Sequence, residues 1–328
     1  MSLDFIRARQ LADDALTRHL PRQRNDAWLA QMVDPPRFGW DWESLERGFL
    51  GPLSQWADRH DARLRPALCA MLMQALGADP QQHQGELAAL ELHYLAAIML
   101  DDLRNGRDLD SSRAAEVDIP LPVWVTIAYN VRQLAPVMAS RLAPAGDDPR
   151  RVEAAQALAR FLFAQGLGST LDLWWEGHPP DRLTLPALLS HLGVYVGSLS
   201  FGLTCQLAAV AAGDGNTEVW ADIGRKLGVS LRLGALSRGE DRQLRCTALD
   251  SPCIEQRIRL QHGLATAALR AAGEDLADQA LAQARHMSEP AARALAGFGR
   301  LFEPTWFTDA PASDRTTVNS PERKEPSA

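Results

Sequence analysis

The chain of 328 residues is poor in what sheets are made from: three tyrosines, an aromatic content of 6% and few β-branched runs. Strands draw on those residue types, so a sheet-rich architecture is disfavoured. Cysteine is scarce too. Cys69, Cys205, Cys246 and Cys253 show no Cys-x-x-Cys or Cys/His ligand spacing, which removes zinc-ribbon chemistry and leaves free thiols acting as small hydrophobes. There is no excess of positive charge. The net charge of -7 and isoelectric point near 5.6 exclude nucleic acid as a default partner, because phosphate binding needs a basic surface. No stretch of 18 apolar residues occurs, so no membrane span is expected. The N-terminal MSLDFIRARQLADDALTRHL lacks the apolar block of a signal peptide, and a reduced, cytoplasmic setting is expected.

What the chain does have is a 46% hydrophobic fraction, with Ala, Leu, Arg, Glu and Gln filling its long segments; these are helix formers. Apolar spacing predicts helices over 4–19, 43–60, 66–76, 85–103, 121–142, 149–175, 184–212, 216–238, 252–271 and 273–302. No repeat and no internal linker interrupts them. The expectation is an all-α, single-domain helical bundle over 1–302, followed by a flexible polar tail over 303–328.

One feature stands out against the apolar background. In GELAALELHYLAAIMLDDL, Leu87, Leu90, Glu91, Tyr94, Ile98 and Asp101-Asp102 follow the rows of one broad helical face. Two adjacent carboxylates therefore close the C-terminal end of a buried helix, where the helix dipole already concentrates negative charge. A hard cation such as Mg²⁺, shared with a substrate phosphate, offsets that charge; a solvated helix end paired with Arg104 or Arg107 is the alternative.

The run from Glu91 to Asp102 resembles the first aspartate-rich region of trans-isoprenyl diphosphate synthases, the polyprenyl synthetase family, in which a Glu lies ten positions before the first Asp. Three further landmarks follow in order. Arg63-Leu64-Arg65-Pro66 is similar to Gly-Lys-Arg-x-Arg-Pro. Gly168-Ser169-Thr170-Leu171-Asp172-Leu173 is similar to Gly-Gln-x-x-Asp-Leu. Gly224-Arg225-Lys226-Leu227-Gly228-Val229 resembles the lead-in to the second aspartate-rich region. The resemblance implies an all-α bundle whose central cavity holds an allylic prenyl diphosphate bridged by Mg²⁺ to aspartates on facing helices. It assigns catalysis to Asp101 and Asp102, metal binding to Asp101, Asp102 and Asp108, and substrate binding to Arg65, Arg113, Asp172, Ala97 and His93. Small residues at Ala96 and Ala97 imply an open pocket. His93 is either a polar group at its floor or a core histidine bonded to a carbonyl. Trp174-Trp175 either lines the cavity, where an indole face stabilises a carbocation, or belongs to ordinary packing.

The departures from the family are as informative. The second Asp-Asp-x-x-Asp falls on Ala235, Leu236 and Gly239, with Glu240 and Asp241 as displaced acids. The third acid of the first motif falls on Arg107, one position before Asp108. At the isopentenyl diphosphate site the Lys corresponds to Ala62 and the His to Tyr94, and only Arg65 is kept. Two readings follow. The chain is a diphosphate-ionising enzyme, either a divergent prenyltransferase or a terpene synthase, or it is a non-catalytic partner subunit of an active synthase. Either way the family implies a homodimer, or a heterodimer with a related synthase.

Overall fold

A computed structural model describes residues 3–32, 41–59, 62–104, 119–141, 149–178, 184–193, 201–238, 266–303 and 306–307. Among these residues no strand occurs. Helix α1 (Phe5–His19) starts on Asp4, whose carboxylate accepts from the Arg7 amide at 2.9 Å, the usual way of satisfying an orphan N–H. Then come α2 (Asp26–Met32) and α3 (Trp42–Leu45), which runs through a π-helical turn, Glu46–Leu50, into α4 (Gly51–Arg59). Helix α5 (Leu64–Ala75) and α6 (Gln84–Arg104) are buried almost all round, as expected for helices that are apolar on every face.

Helices α7 (Leu121–Arg141) and α8 (Pro149–Gly177) follow, then α9 (Leu185–Leu192), α10 (Leu203–Ala212) and α11 (Thr217–Arg238). Thr184 caps α9 and Pro186 occupies its first turn, where a missing N–H does no harm. The sequence predicts one helix over 184–212; α9 and α10 are two described helices, with π-helical residues at Gly193 and at Phe201 and Gly202.

A second boundary moves. The break expected near 272 does not occur: α12 spans Thr266–Met287 and α13 spans Glu289–Gly299. Gly273 sits inside α12 because the Trp306 ring presses on it; a Cβ there would meet Trp306 at 2.6 Å. The real stop is Ser288, whose side chain caps α13 ahead of Pro290. Trp306 and Phe307 are buried, Phe307 against Gly299, so packing extends past residue 303 at least to 307. Residues 308–328 lie outside the described ones.

Helix α6 packs on α1, α5 and α7; α8 packs on α7 and α10; α11 packs on α10 and α12. One continuous apolar core runs through all of them, and no helix is long and apolar enough to cross a membrane.

Candidate functional site

The acidic pair stands in the last turn of α6, at the edge of that core. Leu95, Ala96 and Met99 are fully buried, Ala97 and Ile98 nearly so, and Asp102 is half-exposed. The side chains of Asp101 and Asp172 lie outside the described residues, as do Asp108, Arg113, Glu240 and Asp241 entirely. Asp172 belongs by its backbone to the last two turns of α8. On α11, Ala235 and Leu236 are buried apolar residues. That helix therefore presents methyl and isobutyl groups at the two described positions where the resemblance would place acids. Among the described residues no group of three or more His, Cys, Asp or Glu side chains could hold a metal ion.

Upstream, the Arg63-Leu64-Arg65 segment is turned into the protein. Arg63 adopts a left-handed conformation at φ 49° ahead of α5, a strained state for a residue with a Cβ, which persists only when its surroundings enforce it. The enforcement is visible. Its guanidinium binds Glu91 Oε1 at 3.0 Å, Asp13 Oδ1 at 2.8 Å and the Ala57 carbonyl at 2.9 Å. Glu91 is buried, and that burial raises its pKa in spite of the attraction of Arg63 and Arg65.

Arg65 is 1% exposed. Its guanidinium carbon lies 3.4 Å from the centroid of the Tyr94 ring and 5.6 Å from that of Phe201. A cation held over aromatic faces away from water is a strong packing element. The structure thus brings Arg65 and Tyr94 together, two positions of the expected acceptor-diphosphate site, but as a stacked pair. Sequence reasoning missed the Arg63–Glu91–Asp13 cluster and Phe201. Only the conspicuous placement of Glu91 in an apolar run signalled them, because their partners lie far away along the chain.

Deeper along α6, His93 lies one turn below Ala97 and is 1% exposed. Neither ring nitrogen has a hydrogen-bond partner among the described residues, so the bond to a carbonyl expected of a core histidine is not seen there. Burial, then the cationic neighbours Arg132 and Arg65, push its pKa down to about 3; it is a neutral imidazole. Arg132, on α7, donates to the Leu162 carbonyl of α8. Beside Leu162, Gln165 is 3% exposed and its Oε1 is unpartnered among the described residues. His93 was singled out by sequence; Arg132 and Gln165 were not.

Two other surfaces are distinctive. An apolar groove of about 590 Å³ lies between α2, α3 and α7, lined by Trp28, Met32, Trp42, Phe49, Ile127 and Leu134 among others. On α8, Val152, Phe163, Leu167, Leu171 and Trp174 are exposed and fall on one side of the helix by their spacing. The Trp174 ring is stacked on His178 with centroids 4.0 Å apart, so it lines the exposed side of α8.

This all-α arrangement is the isoprenoid-synthase fold. A farnesyl/geranylfarnesyl diphosphate synthase from Zymomonas mobilis has a similar structure (TM-score 0.66, 20% identity, 91% of this chain and 97% of that one). So does a geranylgeranyl pyrophosphate synthetase from the archaeon Geoglobus acetivorans (TM-score 0.64, 16% identity, 90% and 98%). A third is a polyprenyl synthase from Caulobacter crescentus complexed with calcium and isoprenyl diphosphate (TM-score 0.58, 19% identity, 91% and 99%). At such identities the likeness establishes a common fold with trans-isoprenyl diphosphate synthases. Neither a protein-family profile nor a curated protein sequence matches the chain.

Proposed function

We propose that this protein is a Mg²⁺-dependent enzyme of isoprenoid metabolism that ionises an allylic prenyl diphosphate. The observation that carries this reading is the position of Asp101-Asp102 at the last turn of a buried helix in a fold shared with prenyl diphosphate synthases. Hard oxygen donors at a core edge suit Mg²⁺ shared with a diphosphate, and Asp108 is the further candidate ligand. The fit is one-sided, since Ala235 and Leu236 supply no oxygen.

When bound, Mg²⁺ supplies positive charge that stabilises the departing diphosphate. The chain's own residues do the rest. Asp101 and Asp102 would hold the ion against the diphosphate, and Asp172 and Arg113 are the further candidates for binding the substrate. The small side chain of Ala97, buried one turn before Asp101, is the candidate for accommodating the prenyl chain.

Cyclisation or direct quenching is favoured over condensation with isopentenyl diphosphate. Arg65 is buried on Tyr94 and position 62 carries Ala, so the acceptor diphosphate loses charge-assisted contacts worth ~1.5–3 kcal/mol each. The test is incubation with Mg²⁺ and allylic diphosphates of several lengths, with and without isopentenyl diphosphate. New hydrocarbons or alcohols without elongation are expected, and Asp101→Ala and Asp102→Ala should each abolish turnover. Wild-type rates in both variants would remove the metal role.

A second reading has its own support: a non-catalytic subunit that pairs with an active synthase through α8, where Phe163 is 70% and Trp174 59% exposed. An apolar stripe of that kind marks an interaction face; a second copy of this chain is the partner in the first reading, a related synthase in this one. Phe163→Glu with Leu167→Glu should turn a dimer into a monomer in sedimentation. Activity seen only in the presence of another synthase would favour the subunit.

A further inference from the structure

The apolar groove beside α2 and α3 has a shape and an end that limit what fits it. On α7 its lining runs from Val123 through Ile127, Asn130 and Leu134 to Val137, positions that share one helical face. At ~1.5 Å of rise per residue this makes the trough about 21 Å long. Its described lining takes nothing from α6, the helix of the acidic pair. Trp28 and Trp42 wall the groove from α2 and α3, and their polar atoms are already engaged. Trp28 Nε1 donates to the His19 carbonyl and Trp42 Nε1 to Asp26 Oδ1, each at 2.8 Å. Both indoles therefore present hydrocarbon to the trough.

The π-helical turn Glu46–Leu50 supplies Gly48, Phe49 and Leu50 to the lining and is closed by the Gly51 amide on the Glu46 carbonyl. Turns of this kind are rare and recur at functional sites. Gly48 and Val123 also border a second cavity of about 360 Å³, which adds Glu43, Ser44 and Arg47. A Cβ on Gly48 would meet no atom within 4 Å, so the passage between the two is open. Arg47 is exposed there and paired with Glu43 at 3.3 Å. The trough is thus apolar along its length and ends on a partly compensated guanidinium.

These features select an occupant. A volume of about 590 Å³ over about 21 Å gives a cross-section of roughly 30 Å², against roughly 80 Å² for an α-helix ~10 Å across. A single hydrocarbon chain fits; a helix does not. Water finds few partners on such walls, whereas a chain that covers them gains from the apolar area withdrawn from water. At the charged end, a guanidinium already shared with Glu43 suits a head with one negative charge, which a carboxylate presents in a geometry that Arg binds with two hydrogen bonds. A diphosphate there would meet the Glu43 carboxylate with too little positive charge to offset the repulsion. We propose that this groove is a binding site for a long-chain carboxylate, a fatty acid with its chain along α7 and its head at Arg47. The site stands independently of the isoprenoid reading.

The test titrates the full chain by calorimetry with decanoate, dodecanoate and tetradecanoate below their micelle concentrations, and with decanol. Affinity should rise about tenfold for each pair of added methylenes. Decanoate should bind about threefold more tightly than decanol, the effect of an exposed ion pair, and Arg47→Gln should make the two equal. Gly48→Phe, which fills the passage, should weaken dodecanoate at least tenfold while the melting temperature is kept. Thr126→Trp, at the exposed rim of the trough, serves should Gly48→Phe fail to fold. No binding by any member of the series overturns the proposal, and so does an affinity that ignores chain length. Undiminished binding in the folded Gly48→Phe or Thr126→Trp variant places the chain elsewhere and overturns it as well. Equal affinities of decanoate and decanol for the wild type overturn the assignment of the head to Arg47. Dimers that dissociate in Gly48→Phe, with no fatty acid bound by the wild type, would make the groove an interface between copies instead.

Discussion

The guanidinium carbon of Arg65 lies 3.4 Å from the centre of the Tyr94 ring, with both residues buried. The resemblance places a histidine where Tyr94 stands, and a second diphosphate where the arginine would reach. Tyrosine instead offers a π-face, on which the buried cation is stacked. Tyr94→Leu should lower the unfolding free energy by about 2 kcal/mol, while Tyr94→Phe, which keeps the face, should recover most of it. Equal losses in urea unfolding of the two variants would show that the ring's face is not what holds Arg65.

Arg63 and Glu91 are bonded at 3.0 Å with both side chains almost fully buried. Removing one partner strands the other charge. Glu91→Ala is expected to cost about 3–5 kcal/mol, and to free Arg63 from its left-handed conformation, so that the start of α5 becomes more accessible. Hydrogen exchange of the first turn of α5 checks this: faster exchange in the variant is the expected outcome.

His93 sets a pH dependence. In the unfolded chain its pKa is near 6.5, whereas in the fold it is lowered to about 3. Below pH 6.5 the unfolded chain therefore binds a proton that the folded protein refuses. The contribution to stability is complete above 6.5 and declines by about 1.4 kcal/mol per pH unit toward 3. The loss in unfolding free energy between roughly pH 7 and pH 4.5 should be about 2–3 kcal/mol smaller in His93→Leu than in the wild type. Identical pH profiles would mean that the fold does not shift the His93 pKa.

Gly224, the first residue of the Gly-Arg-Lys-Leu-Gly landmark, is where α11 touches the Phe201 carbonyl; a Cβ there would overlap backbone. Gly224→Ala should cost about 1–3 kcal/mol by pushing α11 from the start of α10. A melting temperature equal to the wild type would show that the contact yields freely. The glycine of this landmark thus has a packing role independent of chemistry.

The helical architecture was legible because it depends on short-range properties: apolar spacing over 85–103 and 121–142, caps at Asp4 and Thr184, and the scarcity of strand formers. Local signals also misled. The break expected near 272 does not occur, and Gly273 is a helix-interior residue against the Trp306 ring, a contact between positions 33 residues apart. The acidic pair and His93 announced themselves as polar groups in an apolar helix. Their surroundings did not, because burial and partnership are properties of distant segments brought together.

The amino-acid order by itself therefore determined the helices, the apolar core and the candidate acids, each a matter of spacing within a few turns. Only the tertiary structure decided that Arg65 is stacked on Tyr94, that Arg63 is held by Glu91 and Asp13, and that His93 and Gln165 are buried without described partners. Charge and hydrogen bonding act through space across helices, and no periodicity in one dimension records which cation faces which ring.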